Sequence, residues 1–215
     1  SGIIHTMTAQ HNYLSPQRER WLLLTLAGVQ FTHILDFMIM MPLGPQFMRL
    51  FHVTPRQFGL LVSTYTFAAA GVGFIAAFVV DRFDRKHTLL TVYAGFGVST
   101  LLCALAPSYQ WLLVARAVAG GFGGVMGATL MAIVGDVVPQ ERRGTAMGTV
   151  MAAFSLSAVA GVPSGLLLAE WFGWQGPFVF LGLLALPLWL LAQRILPPLH
   201  GHLVHRRSQN PWQQV

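Results

Sequence analysis

Six long apolar blocks, at about 21–47, 57–80, 87–106, 109–135, 144–169 and 175–195, are separated only by short polar segments. That pattern constrains the chain more than any single motif. A helix rises 1.5 Å per residue, so about 20 residues cross a ~30 Å hydrocarbon layer, and each block can span once. In lipid every backbone N–H and C=O must pair internally, and the ~10-residue alternation of a membrane barrel is absent, so the blocks are predicted helices. Only 9% of the 215 residues are charged, against ~25% in soluble domains. The expected fold is therefore an all-α membrane protein with a bundle of six transmembrane helices.

The expected organisation is a cytoplasmic tail over 1–20, a membrane domain over 21–196 and a cytoplasmic linker or tail over 197–215. Residues 1–6 read as a non-native extension ahead of a start at Met7. Residues 1–20 are polar and lack the short apolar core of a signal peptide. Orientation follows from the basic residues. With the N-terminus inside, the inner segments hold Arg18, Arg20, Arg82, Arg85, Lys86, Arg142, Arg143, Arg194, Arg206 and Arg207, and the outer loops hold only Arg49 and Arg56. Ten against two predicts both termini on the cytoplasmic side of a cell inner (plasma) membrane. The same clustering accounts for the net charge of +6 as a topology signal rather than a nucleic-acid surface. Trp21, Trp111, Trp171, Trp174 and Trp189 lie near block ends, as interfacial anchors do. The lone Cys103 reads as packing filler and excludes a disulfide framework.

The blocks divide into three plus three. Span 2 ends in Val80-Asp81-Arg82-Phe83 and span 5 in Ala169-Glu170-Trp171-Phe172, an acid followed two residues later by Phe on opposite sides of the membrane. An inverted-topology repeat leaves such a trace.

Asp81-Arg82-Phe83-Asp84-Arg85-Lys86 fills the short inner loop between spans 2 and 3. A topology signal alone needs bases, yet two acids interleave with them. This loop resembles the Gly-x-x-x-Asp-Arg-x-Gly-Arg-Arg/Lys signature of the major facilitator superfamily, with Ala77 in place of the first Gly and Asp84 in place of the second. The family's loop takes part in a cytoplasmic gating network with an acid at the inner end of helix 4. Asp136 matches that acid, so the resemblance implies an Arg85–Asp136 gate. In span 4, Arg116-Ala117-Val118-Ala119-Gly120 is similar to the family's Arg-x-x-Gln-Gly motif, with Ala119 replacing Gln. Pro139-Gln140-Glu141-Arg142-Arg143-Gly144 looks like the helix 4–5 connection of drug- and sugar-efflux members. Gly148, Ser157, Gly161, Pro163 and Gly165 loosely resemble the antiporter motif of proton-coupled exporters, nearer to the arabinose-efflux-like branch. Simple small-residue packing is the competing account of that stretch, since Ala69-Gly73-Ala77 and Gly120-Gly124 share the spacing. The resemblance implies the N-terminal half of a major facilitator fold, two inverted three-helix repeats lacking helices 7–12. The implied activity is secondary active transport by alternating access, a proton-coupled efflux of small organic solutes or drugs.

Only Asp36 and Arg116 are charged deep within spans, where each costs about 2.5–3.5 kcal/mol on insertion scales. Asp36 lies 15 residues beyond Trp21, ~8 Å from the outer face, and Arg116 lies seven residues after Tyr109, ~10 Å below it. Equal depth allows the two to meet if helices 1 and 4 face one cavity, as the family implies. The expected role is proton coupling, with proton and solute competing for Asp36, against a static pair that only orders two helices. His33, three residues before Asp36, shares its helix face as a second candidate titrating group, or as a packing residue. Pro42 and Pro45 are expected to kink span 1, and Phe37, Met38, Met40 and Met41 to contribute in part to an apolar cavity.

Other chemistries find no support. Ser164 has no histidine base, because spans 2–6 carry only His87, at an interface. His200, His202 and His205 form a loose, solvated cluster rather than a metal site, and Gly120-Gly121-Phe122-Gly123-Gly124 lies in a span with no preceding strand. No cofactor is expected. The partners expected are the lipid bilayer, a small-molecule substrate, protons, and a missing C-terminal half or a second copy. A half-transporter subunit, a non-transporting scaffold and a proton-coupled importer remain as alternatives.

Overall fold

Ser15 precedes a proline at the first helical position, and the first helix, α1, runs from there over Pro16–Met38. The computed structural model describes residues 15–79 and 83–197. A short α2 follows at Gly44–Phe51, then α3 at Pro55–Val79, α4 at Arg85–Ala104 and α5 at Tyr109–Val137. After a 3₁₀ turn at Gln140–Arg142 come α6 at Arg143–Leu156, a π-helical turn at Ser157–Gly161, α7 at Val162–Phe172 and α8 at Gly176–Ile195. Among the described residues, six helical segments are long and apolar enough to cross a membrane, with Gln140–Phe172 acting as one interrupted span. No strand occurs among the described residues.

The helix starts follow local chemistry. Asp84 caps α4 by accepting from the Lys86 N–H at 3.2 Å, and Ser108 caps α5 through the Trp111 N–H at 3.3 Å. Thr54 and Gln57 bond reciprocally ahead of α3, a capping box. His52 in the left-handed region (φ 51°) ends α2, and Gly173 (φ 78°) ends α7, a conformation that favours glycine.

Two expectations about boundaries need correction. The block 21–47 is not one kinked helix. α1 stops at Met38 and turns through 39–43 into a separate α2. Pro42 and Pro45 withhold the two N–H groups that a continuous helix would need there. α2 folds back over the bundle end, where Phe47 is fully buried among Phe51, Phe58, Trp174 and Phe178. Trp174 is thus a core residue and not a membrane-surface anchor, because its ring completes that cluster. The N-terminal tail is also shorter than expected, since residues 16–20 already belong to α1.

α5 packs most extensively on α3 and α4, and α1 on the α6–α7 span and α8, while α4 meets α8. Exchange span 1 with 4, 2 with 5 and 3 with 6, and those pairings map onto one another. The 2–4 contact becomes 5–1, and 3–4 becomes 6–1. Among the described residues, the contacts of α7 with α8 and of α5 with α6 lack counterparts of similar extent. Two three-helix units of related packing therefore build the bundle.

The interior has two apolar zones. One gathers Leu22, Leu26, Tyr93, Met126, Leu130 and Ile133 towards the end carrying most bases, here the basic end. The other gathers Leu35, Ile39, Leu43, Phe47, Leu61 and Leu112 towards the far end. Between them lies a layer of buried polar side chains: Thr32, Asp36, Ser99, Thr100 and Arg116.

Helix approach at this level depends on glycine. A Cβ at Gly120 would collide with the Tyr65 carbonyl, and one at Gly124 with the Ala69 carbonyl, so α3 and α5 are in backbone contact. Gly127, by contrast, has nothing within 4 Å of its Cβ position among the described residues. Gly124→Val is predicted to destabilise the protein by about 1–3 kcal/mol, whereas Gly127→Ala is neutral or slightly stabilising. Thermal unfolding in detergent checks this, and equal effects at the two sites would contradict it.

Candidate functional site

α1 and α5 bring Asp36 and Arg116 together in the polar layer. The Arg116 Nη1 lies 2.6 Å from Asp36 Oδ2, and the two side chains are 1% and 0% exposed. The same nitrogen reaches the Asp36 carbonyl at 3.4 Å, and Thr100 of α4 donates to Asp36 Oδ1 at 3.4 Å. From α3, Tyr65 lays its ring under the guanidinium, with Arg116 Cζ 4.3 Å from the centroid. A desolvated arginine over a phenol ring gains up to about 2 kcal/mol. Four helices thus converge on one ion pair.

His33 sits one turn nearer the basic end. Its ring stacks 6.3 Å from Tyr65 and meets Phe96 edge-on at 5.8 Å. Space for it comes from Gly123, where a Cβ would press on His33 Nε2 and Tyr65 Oη. His33 Nδ1, Tyr65 Oη and Arg116 Nε are buried with no hydrogen-bond partner among the described residues. His33 therefore contacts Tyr65 rather than Asp36 directly. Beside it, Thr32 and Tyr93 share a buried hydroxyl–hydroxyl bond of 3.0 Å. Of the apolar candidates, Phe37 packs on Tyr65 and Met40 is fully buried, while Met41 is exposed.

The span-5 residues divide by face. Ser157 donates to the Phe31 carbonyl at 3.2 Å. A Cβ at Gly161 would press on Leu35, and one at Gly165 on Ile39. Positions 157, 161 and 165 thus run along 31 and 35 of α1, the helix that carries Asp36, and along 39 just beyond its end. The π-helical turn widens the helix just ahead of Pro163, whose ring would otherwise crowd the carbonyl four residues earlier. Gly148 is outside this seam, with nothing within 4 Å of its Cβ position.

At the basic end, Arg85 Nε meets Asp136 Oδ2 at 2.7 Å, joining the start of α4 to the end of α5. Arg143 Nη2 donates to the Gly135 carbonyl at 2.5 Å. Lys86 Nζ donates to the Leu196 carbonyl at 2.6 Å, closing the end of α8. Ala77 is an exposed residue near the end of α3, and Asp81 and Arg82 lie outside the described residues, as do 1–14 and 198–215. Three contributors escaped sequence reasoning. Glu19 is buried and pairs with Arg142 at 3.0 Å, Tyr65 covers Arg116, and Thr100 supports Asp36. Glu19 carried one legible signal, an acid in a first helical turn flanked by arginines; the other two are ordinary span residues in sequence.

Six membrane-length helices in two related units, closed around a buried ion pair, define a helical membrane bundle of the kind that solute transporters use. The profile of the Major Facilitator Superfamily matches residues 26–214, and the chain belongs to that family, one of transporters and not of enzymes. The MFS-type transporter YceJ of Bacillus subtilis is 33% identical over 170 residues, 79% of this chain and 43% of that protein. A probable sugar efflux transporter of Mannheimia succiniciproducens is 26% identical over 68% of this chain and 37% of its own length. The puromycin resistance protein pur8 of Streptomyces alboniger is 28% identical over 84% and 36%. Among solved structures, the proton:xylose symporter XylE is similar in fold, with a TM-score of 0.79 at 15% identity over 91% of this chain and 48% of that one. The chain spans less than half the length of these relatives.

Tyr65 supplies the next prediction. Tyr65→Leu removes the ring and is predicted to lower stability by roughly 1–2 kcal/mol, while Tyr65→Phe, which keeps it, stays within ~0.5 kcal/mol. Unfolding curves of the two variants check this; equal losses would show that the hydroxyl, not the ring, supports Arg116.

Proposed function

We propose that this chain forms the N-terminal half of a secondary active transporter that couples efflux of small organic solutes to protons by alternating access. One observation carries the reading: an aspartate and an arginine, both fully buried in the bundle interior, bonded at 2.6 Å against an aromatic ring. Burial favours the neutral carboxyl and the facing guanidinium favours the carboxylate. Protonation of Asp36 removes the charge that holds Arg116, and a solute donor competing for the carboxylate has the same effect. Either event frees the guanidinium to find a new acceptor, a change of state that a rocking half can follow. A lone cavity acid suits cationic or neutral solutes better than anions. His33, against Tyr65, is a second group through which a proton can approach.

Supporting residues extend the reading. Ser157, Gly161 and Gly165 let span 5 slide along the Asp36 helix, and Pro163 with its π-helical turn supplies a pliant point. Arg85 with Asp136 serves as a cytoplasmic latch, Asp81 and Arg82 being the further members suggested by the motif. The basic end faces the cytoplasm of a bacterial inner membrane, as the distribution of bases favours. A relative described as a probable sugar efflux transporter supports export over import. The chain's length, under half that of YceJ and of that transporter, supports a requirement for a second half, either helices 7–12 or another copy.

The test is solute-driven proton movement in liposomes holding the full-length protein and a trapped pH dye, challenged with puromycin and with arabinose. Solute addition is expected to move protons in the parent protein. Asp36→Asn is expected to lose at least 90% of that flux, on the order expected when a required proton-transfer group is removed. Solute transport that retains its proton dependence in Asp36→Asn would refute the coupling role.

A further inference from the structure

The geometry points to a headgroup site for an anionic phospholipid in a cleft at the basic end, between α1, α4 and α8. The cleft has a volume of about 670 Å³ and takes Arg18 and Trp21 from α1, Lys86 from α4 and Arg194 from α8. Three bases from three helices therefore surround one space. Lys86 spends one donor on the Leu196 carbonyl, which fixes its ammonium in the cleft wall with donors to spare. Arg18 and Arg194 are exposed and line the cleft, and the donor fork of a guanidinium matches a phosphodiester.

Charge complementarity selects the occupant. Among the described residues near this end, Glu19 faces Arg142, Asp136 faces Arg85 and Asp84 faces His87 at 2.6 Å, while Glu141 is exposed in the turn between α5 and α6 and does not line the cleft. The chain's own terminal segments are poor candidates, since residues 1–14 and 198–215 contain no Asp or Glu. Directly above the bases the surface turns apolar. Trp21 is 59% exposed, and Leu24, Leu190 and Leu191 are exposed on the same two helices. An anionic headgroup held by the bases, with acyl chains over Trp21 and these leucines, satisfies both halves of the surface. Basic pockets between spans on the cytoplasmic side are suited to such lipids. The inference rests on membrane insertion alone, and stands or falls separately from any transport activity.

The test is native mass spectrometry of the full chain, released from mild detergent with equimolar phosphatidylglycerol and phosphatidylcholine of identical acyl chains. Phosphatidylglycerol adducts are expected to dominate. Arg18→Gln and Arg194→Gln should each reduce them about fivefold, leave phosphatidylcholine adducts unchanged, and preserve the circular dichroism spectrum. Arg49→Gln and Arg56→Gln, at the far end, should change nothing. The proposal is overturned if the R18Q/R194Q double variant retains the phosphatidylglycerol adducts, or if phosphatidylcholine adducts fall in parallel. It is overturned equally if excess inorganic phosphate strips the adduct, which would make the site one for free anions. A dimer of the parent protein that the double variant dissolves would assign the cleft to a second copy instead.

Discussion

Moving a carboxylate and a guanidinium out of water costs several kcal/mol for each ion, and mutual attraction offsets that cost only when the geometry is tight. Asp36 and Arg116 meet that condition at 2.6 Å, and much of the bundle interior is arranged so that they can. The pair sits where the two apolar zones meet, so neither zone has to bury an isolated charge. Thr100 and the Tyr65 ring satisfy directions that the pair leaves open. Without Tyr65 the guanidinium would face a gap, and without Arg116 the carboxylate would be a lone buried charge.

The glycine seams follow from the same constraint. Side chains as short as Asp36 and Thr100 meet each other, and Asp36 meets Arg116, only if the helices lie close. Gly120 and Gly124 bring α3 against α5 at backbone contact, which sets the ring of Tyr65 under Arg116. Gly161 and Gly165 play the corresponding part between the α6–α7 span and α1. The two seams are related by the exchange of spans that relates the halves of the bundle. Close packing thus serves the ion pair twice, once through each of the helices that carry it.

How much of this could be read in advance differs from element to element. The six spans were legible because hydrocarbon thickness imposes a length and forbids charge, and both leave marks in sequence. The meeting of Asp36 with Arg116 was legible because charges inside a span are costly and their depths could be compared. Tyr65 and Thr100 were hidden, since a tyrosine or threonine in a span is cheap and its partner depends on helix rotation about the axis, which periodicity in an all-apolar helix does not define. α3 illustrates the difficulty: only Leu61 and Tyr65 of its 25 residues are buried. The break between α1 and α2 was missed because apolarity continued through it, although Pro42 and Pro45 marked the spot. Glu19 falls in the polar segment by composition, although α1 begins five residues before the apolar run does.

The claim that the bundle is organised around a mutually dependent ion pair is tested most directly by a double-mutant cycle on unfolding in mixed micelles. The variants are Asp36→Leu, Arg116→Met and the two combined. Each single change strands one buried charge, so each is predicted to cost about 3–5 kcal/mol. The combined variant, with no charge left, is predicted to recover at least ~2 kcal/mol relative to the sum of the two. Additive losses would contradict the account, because they would mean that Asp36 and Arg116 stabilise the bundle independently of each other.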